Sequence, residues 1–586
     1  VSVFRAERLL ARTFFSRLFE SELMPAGLPQ VQLVVWSIAM MAAPGFILSF
    51  HLERNYARLW RTARRGIPGA ILDDELLFVT YSMMALGLVA LVVWEGVFPD
   101  RRDVRTLGVL PLRTRSHVIG RLAALAAVAG LFCVGANLMS ALAYGMVLWS
   151  YDAATSWPRG VAAHLAAAGF GGLFVFFSLI TAQGALLSTF GRRTAQRLAL
   201  ALQGIFVVVL LQAMMFVPYL GSLMRASFQG EHTIAAFLPP AWFVALFHVL
   251  AGTPGRVPAG FALAAVSVTL MSIVAAAALL GGSYRRLVRM ALETSDRSGP
   301  KRASILWRLS VECGRRLSIH PVQSAVTGFT LRTMARSRTH LVLLAMYIGI
   351  GIALVISTLI PVIVTRGIGV AFRPSASLLS PSLILNFCVL CGVRVLFAIP
   401  AEIRANWVLR LNAPDHHLAE AIRGVRAALL LMVVAPLALG AGLVALALWG
   451  PKDAVVHALF TGAAGVLLTD VLLVRLRKIP FTCTYRPGRS RARTLWPLYI
   501  AAFSVYSFGL ARLEVIALHN TLVLSTALLV AGLIDVALAV LRHFDLQPPP
   551  GLTYAEEDPD ALFSGFRLSE GLAAESRPRP RTAEPW

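Results

Sequence analysis

Few side chains in this sequence can do chemistry, and none has the spacing of a known catalytic set. Asp415, His416, His417 and Glu420 form the densest group able to ligate a cation; at the start of an expected helix they read as a solvated cluster. Cys388 and Cys391 make a CxxC, but inside an apolar stretch two small thiols act as packing residues. The HExxH of zinc proteases and the GxSxG of serine hydrolases are both missing. ATP hydrolysis needs a glycine-rich loop with a Lys on the phosphates, yet none of Lys301, Lys452 and Lys478 follows a glycine. The chain is therefore expected to be no enzyme by itself and to hold no cofactor or metal.

Three charges lie where a charge is costly. Arg394, Asp470 and Asp535 fall inside long apolar stretches, about five to seven residues from one end and so roughly 7 to 10 Å deep. Equal depth permits pairing. The expectation is a structural contact between Arg and carboxylate, with a proton relay as the alternative.

The elements that must hold these residues are membrane helices. Of 586 residues 57% are hydrophobic and 14% charged, with a mean hydropathy of +0.71, whereas a soluble chain carries roughly 25% charged residues. The expected fold class is all-α, a polytopic membrane protein of about twelve transmembrane helices in two six-helix repeats. The first half, 30–282, holds apolar stretches at 30–50, 76–94, 122–147, 163–188, 198–219 and 259–282. The second, 341–543, holds them at 341–364, 381–398, 427–448, 455–474, 495–511 and 516–541. A basic cytoplasmic connector, 283–340, joins the halves. Residues 1–29 precede them as an amphipathic cytoplasmic helix, and 544–586 follow as a cytoplasmic tail too poor in apolar residues for a core.

Lys and Arg number 54 against 30 Asp and Glu, and most fall in loops that strict alternation places on one side of the membrane. That side is expected to be the cytoplasm, with both termini, in a bacterial inner membrane; the surplus needs no nucleic acid to explain it. The loop 51–75 is the exception, with Arg54, Arg58, Arg61, Arg64 and Arg65 on the outer side, followed by Asp73, Asp74 and Glu75. Arg5, Arg8, Arg12 and Arg17 run through residues 1–29, so no secretory leader is expected. Leu10, Phe14, Phe15 and Leu18 share a face there, as in a helix lying in the membrane interface. "FTLRTMARSRTH" before the seventh stretch reads the same way. "AWFVALFHVLAG", following Pro239 and Pro240, is too short to cross and predicts a re-entrant or surface helix on the outer side.

The halves share one plan: an amphipathic Arg-bearing helix, two spans, then a cytoplasmic stretch. "EGVFPDRRDVRTLGVLPLRTRSHVIGRLAAL" and "AIPAEIRANWVLRLNAPDHHLAEAIRGVRAALL" both begin with a proline at the end of a span, Pro99 and Pro400, and reach a second, Pro111 and Pro414, before the next helix. Proline at these places ends one helix and begins another, so each stretch is expected to fold as short helices along the membrane surface. Equivalent loops on one side mean parallel repeats about an axis along the membrane normal.

The first stretch, followed by a long apolar helix, resembles the loop between the second and third spans of type-2 ABC exporter permeases, and "FLPPAWFVALF" is similar to the outer re-entrant segment of that class. "IPAEIRANWVLRL" and "KIPFTCTYRPG" resemble bacterial ABC exporter membrane proteins with two fused six-span halves. The resemblance implies a permease subunit that couples hydrolysis of Mg-ATP on a separate ABC ATPase dimer to export. It also implies coupling loops that bind the ATPase through Asp100, Arg101, Arg102, Asp103, Leu110, Pro111, Leu112, Arg113 and Arg115, and through Glu402, Arg404, Trp407, Leu409, Arg410 and Leu411. A secondary transporter of the major facilitator kind is the alternative. Gly96, Asp100 and Arg101 fit the start of its GxxxDR signature, but the second glycine of that signature falls on Asp103.

Overall fold

The computed structural model describes residues 3–19, 30–99, 112–152, 155–190, 192–228, 237–253, 258–293, 312, 314, 320–397, 399, 401, 418–474, 476, 478–482 and 496–545. Among these the chain is all-α, with no strand. Eleven helices among the described residues are long and apolar enough to cross a membrane, and they coincide with the second to twelfth expected spans.

The first half consists of α1 (Val3–Phe19), α2 (Gln30–Thr62), α3 (Ile67–Val93), α4 (Thr114–Tyr151), α5 (Trp157–Thr189), α6 (Arg192–Met215), α7 (Val217–Phe228), α8 (Pro239–Ala251) and α9 (Ala259–Glu293). The first expected span lies within α2, and α9 continues into the expected connector. The second half consists of α10 (Pro321–Arg336), α11 (Arg338–Arg366), α12 (Ala376–Leu396), α13 (Leu418–Leu429), α14 (Ala435–Trp449), α15 (Pro451–Leu473), α16 (Trp496–Ser504), α17 (Leu510–His519) and α18 (Thr521–Asp545). A π-helical turn, Leu430–Val434, joins α13 to α14 just before Pro436, and another, Val505–Gly509, joins α16 to α17. Each pair therefore crosses as one membrane helix.

The loop expected over 51–75 is helical instead. α2 runs on to Thr62, a single tight turn at Arg64–Gly66 reverses the chain, and α3 begins at Ile67 with Pro68 in its first turn. The acidic trio is thereby drawn into the second membrane helix, where Glu75 is fully buried.

The same helix pairs meet in both halves. The second membrane helix packs on the third, fourth and fifth, and the fourth packs on the third and sixth. The amphipathic helix of each half lies across the start of the third: α1 on α4 and α10 on α13. At both crossings the third helix carries a glycine under the contact. A Cβ on Gly120 would stand 2.8 Å from the Leu10 Cβ, and one on Gly424 would stand 2.6 Å from the Gln323 carbonyl oxygen. Leu10, Phe14 and Leu18 of α1 are thus buried against protein, while Leu9 stays exposed.

α6 and α11 join the halves. Gly204 lies beside Ala345 and Gly349, and Gln212 donates to the Ala353 carbonyl, so eight residues along one helix match eight along the other. The two helices run parallel and place α1 and α10 at one face of the bundle, called here the near face. The first helix differs between halves: α2 packs along α4, whereas α11 packs along α12 and α6. The first half also holds α8, wedged at the far face between α5 and α9. Pro239 and Pro240 start it, Gly252 ends it at φ 86°, and most of its residues are buried.

Candidate functional site

Asp100, Arg101, Arg102, Asp103, Leu110, Pro111 and Glu402, Arg404, Trp407, Leu409, Arg410, Leu411 lie outside the described residues, as do Asp415, His416 and His417. Leu112 packs against the core beneath α1, and Arg113 and Arg115 are exposed at the start of α4. Both flanks of the first stretch and the entry of the second are tied down. Arg121, buried in α4, donates to the Val97 carbonyl at 3.0 Å and lays its guanidinium 4.5 Å from the centre of the Phe14 ring. One side chain so links the segment entering the first stretch, the helix leaving it and α1. In the second half the His340 Nε2 donates to Ile399 O at 3.1 Å. The Ala401 amide donates to Phe481 O at 3.0 Å, and the His340 ring stands edge-on to Phe481.

The expected intramembrane charges are rearranged. Asp470 and Asp535 do come together, but the cation between them is Arg426. It donates to both oxygens of Asp470 at 2.8 Å and to Asp535 at 3.2 Å. Arg542 adds a bond to Asp470 at 2.6 Å. The Arg394 Nε instead donates to the Leu472 carbonyl at 3.0 Å. Depth along a helix was a sound guide to the carboxylates; which way Arg394 faces is decided by how α12 is turned. Asp470, at 0% exposure between two guanidiniums, is neutralised and bonded on both oxygens, as a buried charge requires.

Two buried pairs toward the far face were missed by sequence reasoning. His164 of α5 places Nδ1 2.9 Å from Glu75 Oε2 of α3, with both side chains at 0% exposure. The His164 Nε2 lies 3.2 Å from the Ser140 hydroxyl, and Asn137 donates to Ser82 at 2.9 Å. In the second half His457 of α15 places Nδ1 2.5 Å from Glu514 Oε1 of α17. Beside it Ser382 and Thr461 share a bond at 3.1 Å, and Asn386 donates to Thr461 O at 3.2 Å. A signal was available. α5 carries Pro158, His164, Gly169 and Gly172, and α15 carries Pro451, His457, Gly462 and Gly465, at identical intervals.

Ser140, His164 and Glu75 stand in the order of a serine hydrolase triad, but the Ser140 hydroxyl donates to the Asn137 carbonyl at 2.9 Å, and Gly45 of α2 lies directly over it. That hydroxyl is sealed and committed, so the arrangement is no nucleophile. A cavity of about 430 Å³ between α2 and α4 is walled by Phe46, Met139, Leu142 and Met146, with Ser49 and Glu53 as polar members. Among the described residues no three His, Cys, Asp or Glu side chains are placed to hold a metal ion.

Fold and sites define an all-α multi-pass membrane protein. No family model, no curated protein and no solved structure matches the chain.

Proposed function

We propose that the chain is the membrane-spanning permease subunit of an ATP-driven exporter, with its near face toward the cytoplasm of a bacterial cell. A separate ABC ATPase dimer would bind Mg-ATP and dock on the two near-face stretches. One observation carries this reading: the chain entering each stretch is tied to the bundle, by Arg121 of the helix that leaves the first stretch and by His340 and Phe481 in the second half. A docking element transmits force only when it is joined rigidly to the helices it must move, and these anchors would supply that rigidity. The apolar plug of the first stretch would be Leu110 and Pro111, with Arg113 and Arg115 beside it to pair with carboxylates around the cleft on the ATPase, while Leu112 fixes the stretch to the core.

The test is purification of the complex from native membrane. An ATPase is expected to accompany the wild-type chain. Leu110→Asp with Arg115→Asp, the latter at an exposed side chain, should release it and abolish transport-coupled hydrolysis while membrane insertion persists. A double variant that retains an active ATPase overturns the docking scheme. The second reading, a secondary transporter of the major facilitator kind, is favoured by one observation, the buried His–Glu pairs, since ionisable groups inside a membrane mark proton or ion pathways by default. Transport that an uncoupler dissipates and that needs no ATP would decide for it.

A further inference from the structure

The fourth membrane helix of each half brings an imidazole into the bundle at one position, six residues after a proline and about 9 Å along the helix. The carboxylate facing it comes from a different helix each time, Glu75 from the second membrane helix and Glu514 from the fifth. The pairing therefore recurs even though the helix that supplies the acid does not. A lone carboxylate in this setting would be strongly disfavoured, while a carboxylate and an imidazole that together hold one proton are neutral as a unit.

Hydrogen bonding agrees. Since Ser140 donates to Asn137 O, its oxygen is left to accept from the His164 Nε2, while Nδ1 donates to Glu75. Both ring nitrogens then act as donors, which is the imidazolium inventory. Each carboxylate keeps one buried oxygen with no partner, Glu75 Oε1 and Glu514 Oε2.

We propose that His164–Glu75 and His457–Glu514 are two proton-binding sites, one per half, each holding one proton while the far end of its half is sealed and releasing it when that end opens to water. The inference rests on the chain being a transporter, by either mechanism above. The balance is simple. A sealed pair carries one proton. Once hydrated above the ordinary imidazole range, about pH 6.5, it becomes carboxylate and neutral imidazole, with one proton passed to solvent. Opening of each half should therefore become about tenfold more favourable per pH unit above that point, and independent of pH between roughly 4.5 and 6.5.

Other titratable groups stand nearby. Around the first pair are Tyr144 of α4, its ring 5.7 Å from His164, Tyr56 of α2 bonded to Tyr144, Asp74 of α3, and Asp73 paired with Arg225 of α7. On α8, His248 bonds Thr253. Around the second are Tyr506 from the π turn, Cys388 and Cys391 of α12, Lys452 and Asp453 at the start of α15, and Arg512 and His519, exposed on α17. Asp535 of α18 is held by Arg426. None of these is bonded to a pair's imidazole.

The experiment uses the full chain alone in lipid nanodiscs, free of its own cysteines, with a reporter cysteine at buried Ala167 of α5 or buried Ala464 of α15. The labelling rate by a water-soluble thiol reagent, corrected for thiolate by a cysteine at exposed Gly369, is followed from pH 5 to 9. The corrected rate should be flat at low pH and then rise about tenfold per unit above 6.5. Glu75→Gln should abolish the rise at Ala167→Cys and leave it at Ala464→Cys; Glu514→Gln should do the reverse, each half acting as the folding control for the other. Should a Gln variant fail to fold, His164→Gln and His457→Gln replace them, and a wild-type rate without pH dependence by itself overturns the proposal. Equal slopes in wild type and variants also overturn it and leave the pairs as structural hydrogen bonds. No ATPase is present, so failure here and failure of the exporter reading are separate results.

Discussion

α5 and α15 carry the same proline, histidine and two glycines, yet they are held in different ways. α5 is enclosed by α3, α4, α8 and α9, and its glycines let neighbours approach closely. α15 packs mainly on α12, α14 and α18, with α13 and α17 touching it through Arg426 and Glu514, and no residue of the α18 span is buried. Lipid tails are as apolar as Leu, so α18 gains little from burial, and specific contacts must hold it. Those contacts are the near-face charges, with Asp535 and Arg542 of α18 closing on Arg426 and Asp470. A single helix template thus works with steric enclosure in one half and with electrostatic fastening in the other.

Removing the fastening should have the largest effect. Asp470→Ala leaves Arg426 and Arg542 without their fully buried carboxylate and is expected to cost about 3–5 kcal/mol, seen as loss of monodisperse protein in detergent. Asp535→Ala, at a side chain one-third exposed, should cost about 1 kcal/mol or less. Equal losses would mean that the cluster does not act as drawn.

The steric side of the comparison is sharpened by two glycines at the same place in the template. A methyl on Gly465 would meet the stiff, β-branched Val434 at 2.7 Å, whereas one on Gly172 would meet the Ser82 hydroxyl at 2.8 Å and the movable end of Leu86 at 2.9 Å. Gly465→Ala should therefore destabilise by about 2 kcal/mol and Gly172→Ala by about 1 kcal/mol in thermal unfolding; the reverse order would break the argument.

The mildest change tests the joint between the halves. A Cβ built on Gly204 lies 4.0 Å from the Ala345 Cβ, within disulfide range. Gly204→Cys with Ala345→Cys should cross-link with little effect on stability. After protease cleavage in 294–311, the halves should then stay together on a non-reducing gel. Separate fragments would show that α6 and α11 do not run side by side.

Much was readable along the chain because a membrane imposes it locally. The prolines that start α5, α8 and α15 and the shortness of α8 follow from the missing amide of proline and from the bilayer thickness, neither of which depends on distant residues. The expected loop over 51–75 failed because Arg64–Gly66 turns the chain within three residues, which leaves its charges on helices.

Sequence by itself determined that the chain is a helical bundle in a membrane, which apolar stretches form its second to twelfth membrane helices, and that carboxylates at residues 470 and 535 share a depth. Tertiary structure alone decided which cation meets them, and that His164 finds Glu75 while His457 finds Glu514. Depth is counted in residues along one helix, but the facing of a side chain is set by how each helix is rotated against its neighbours. That rotation comes from packing between segments 57 to 89 residues apart.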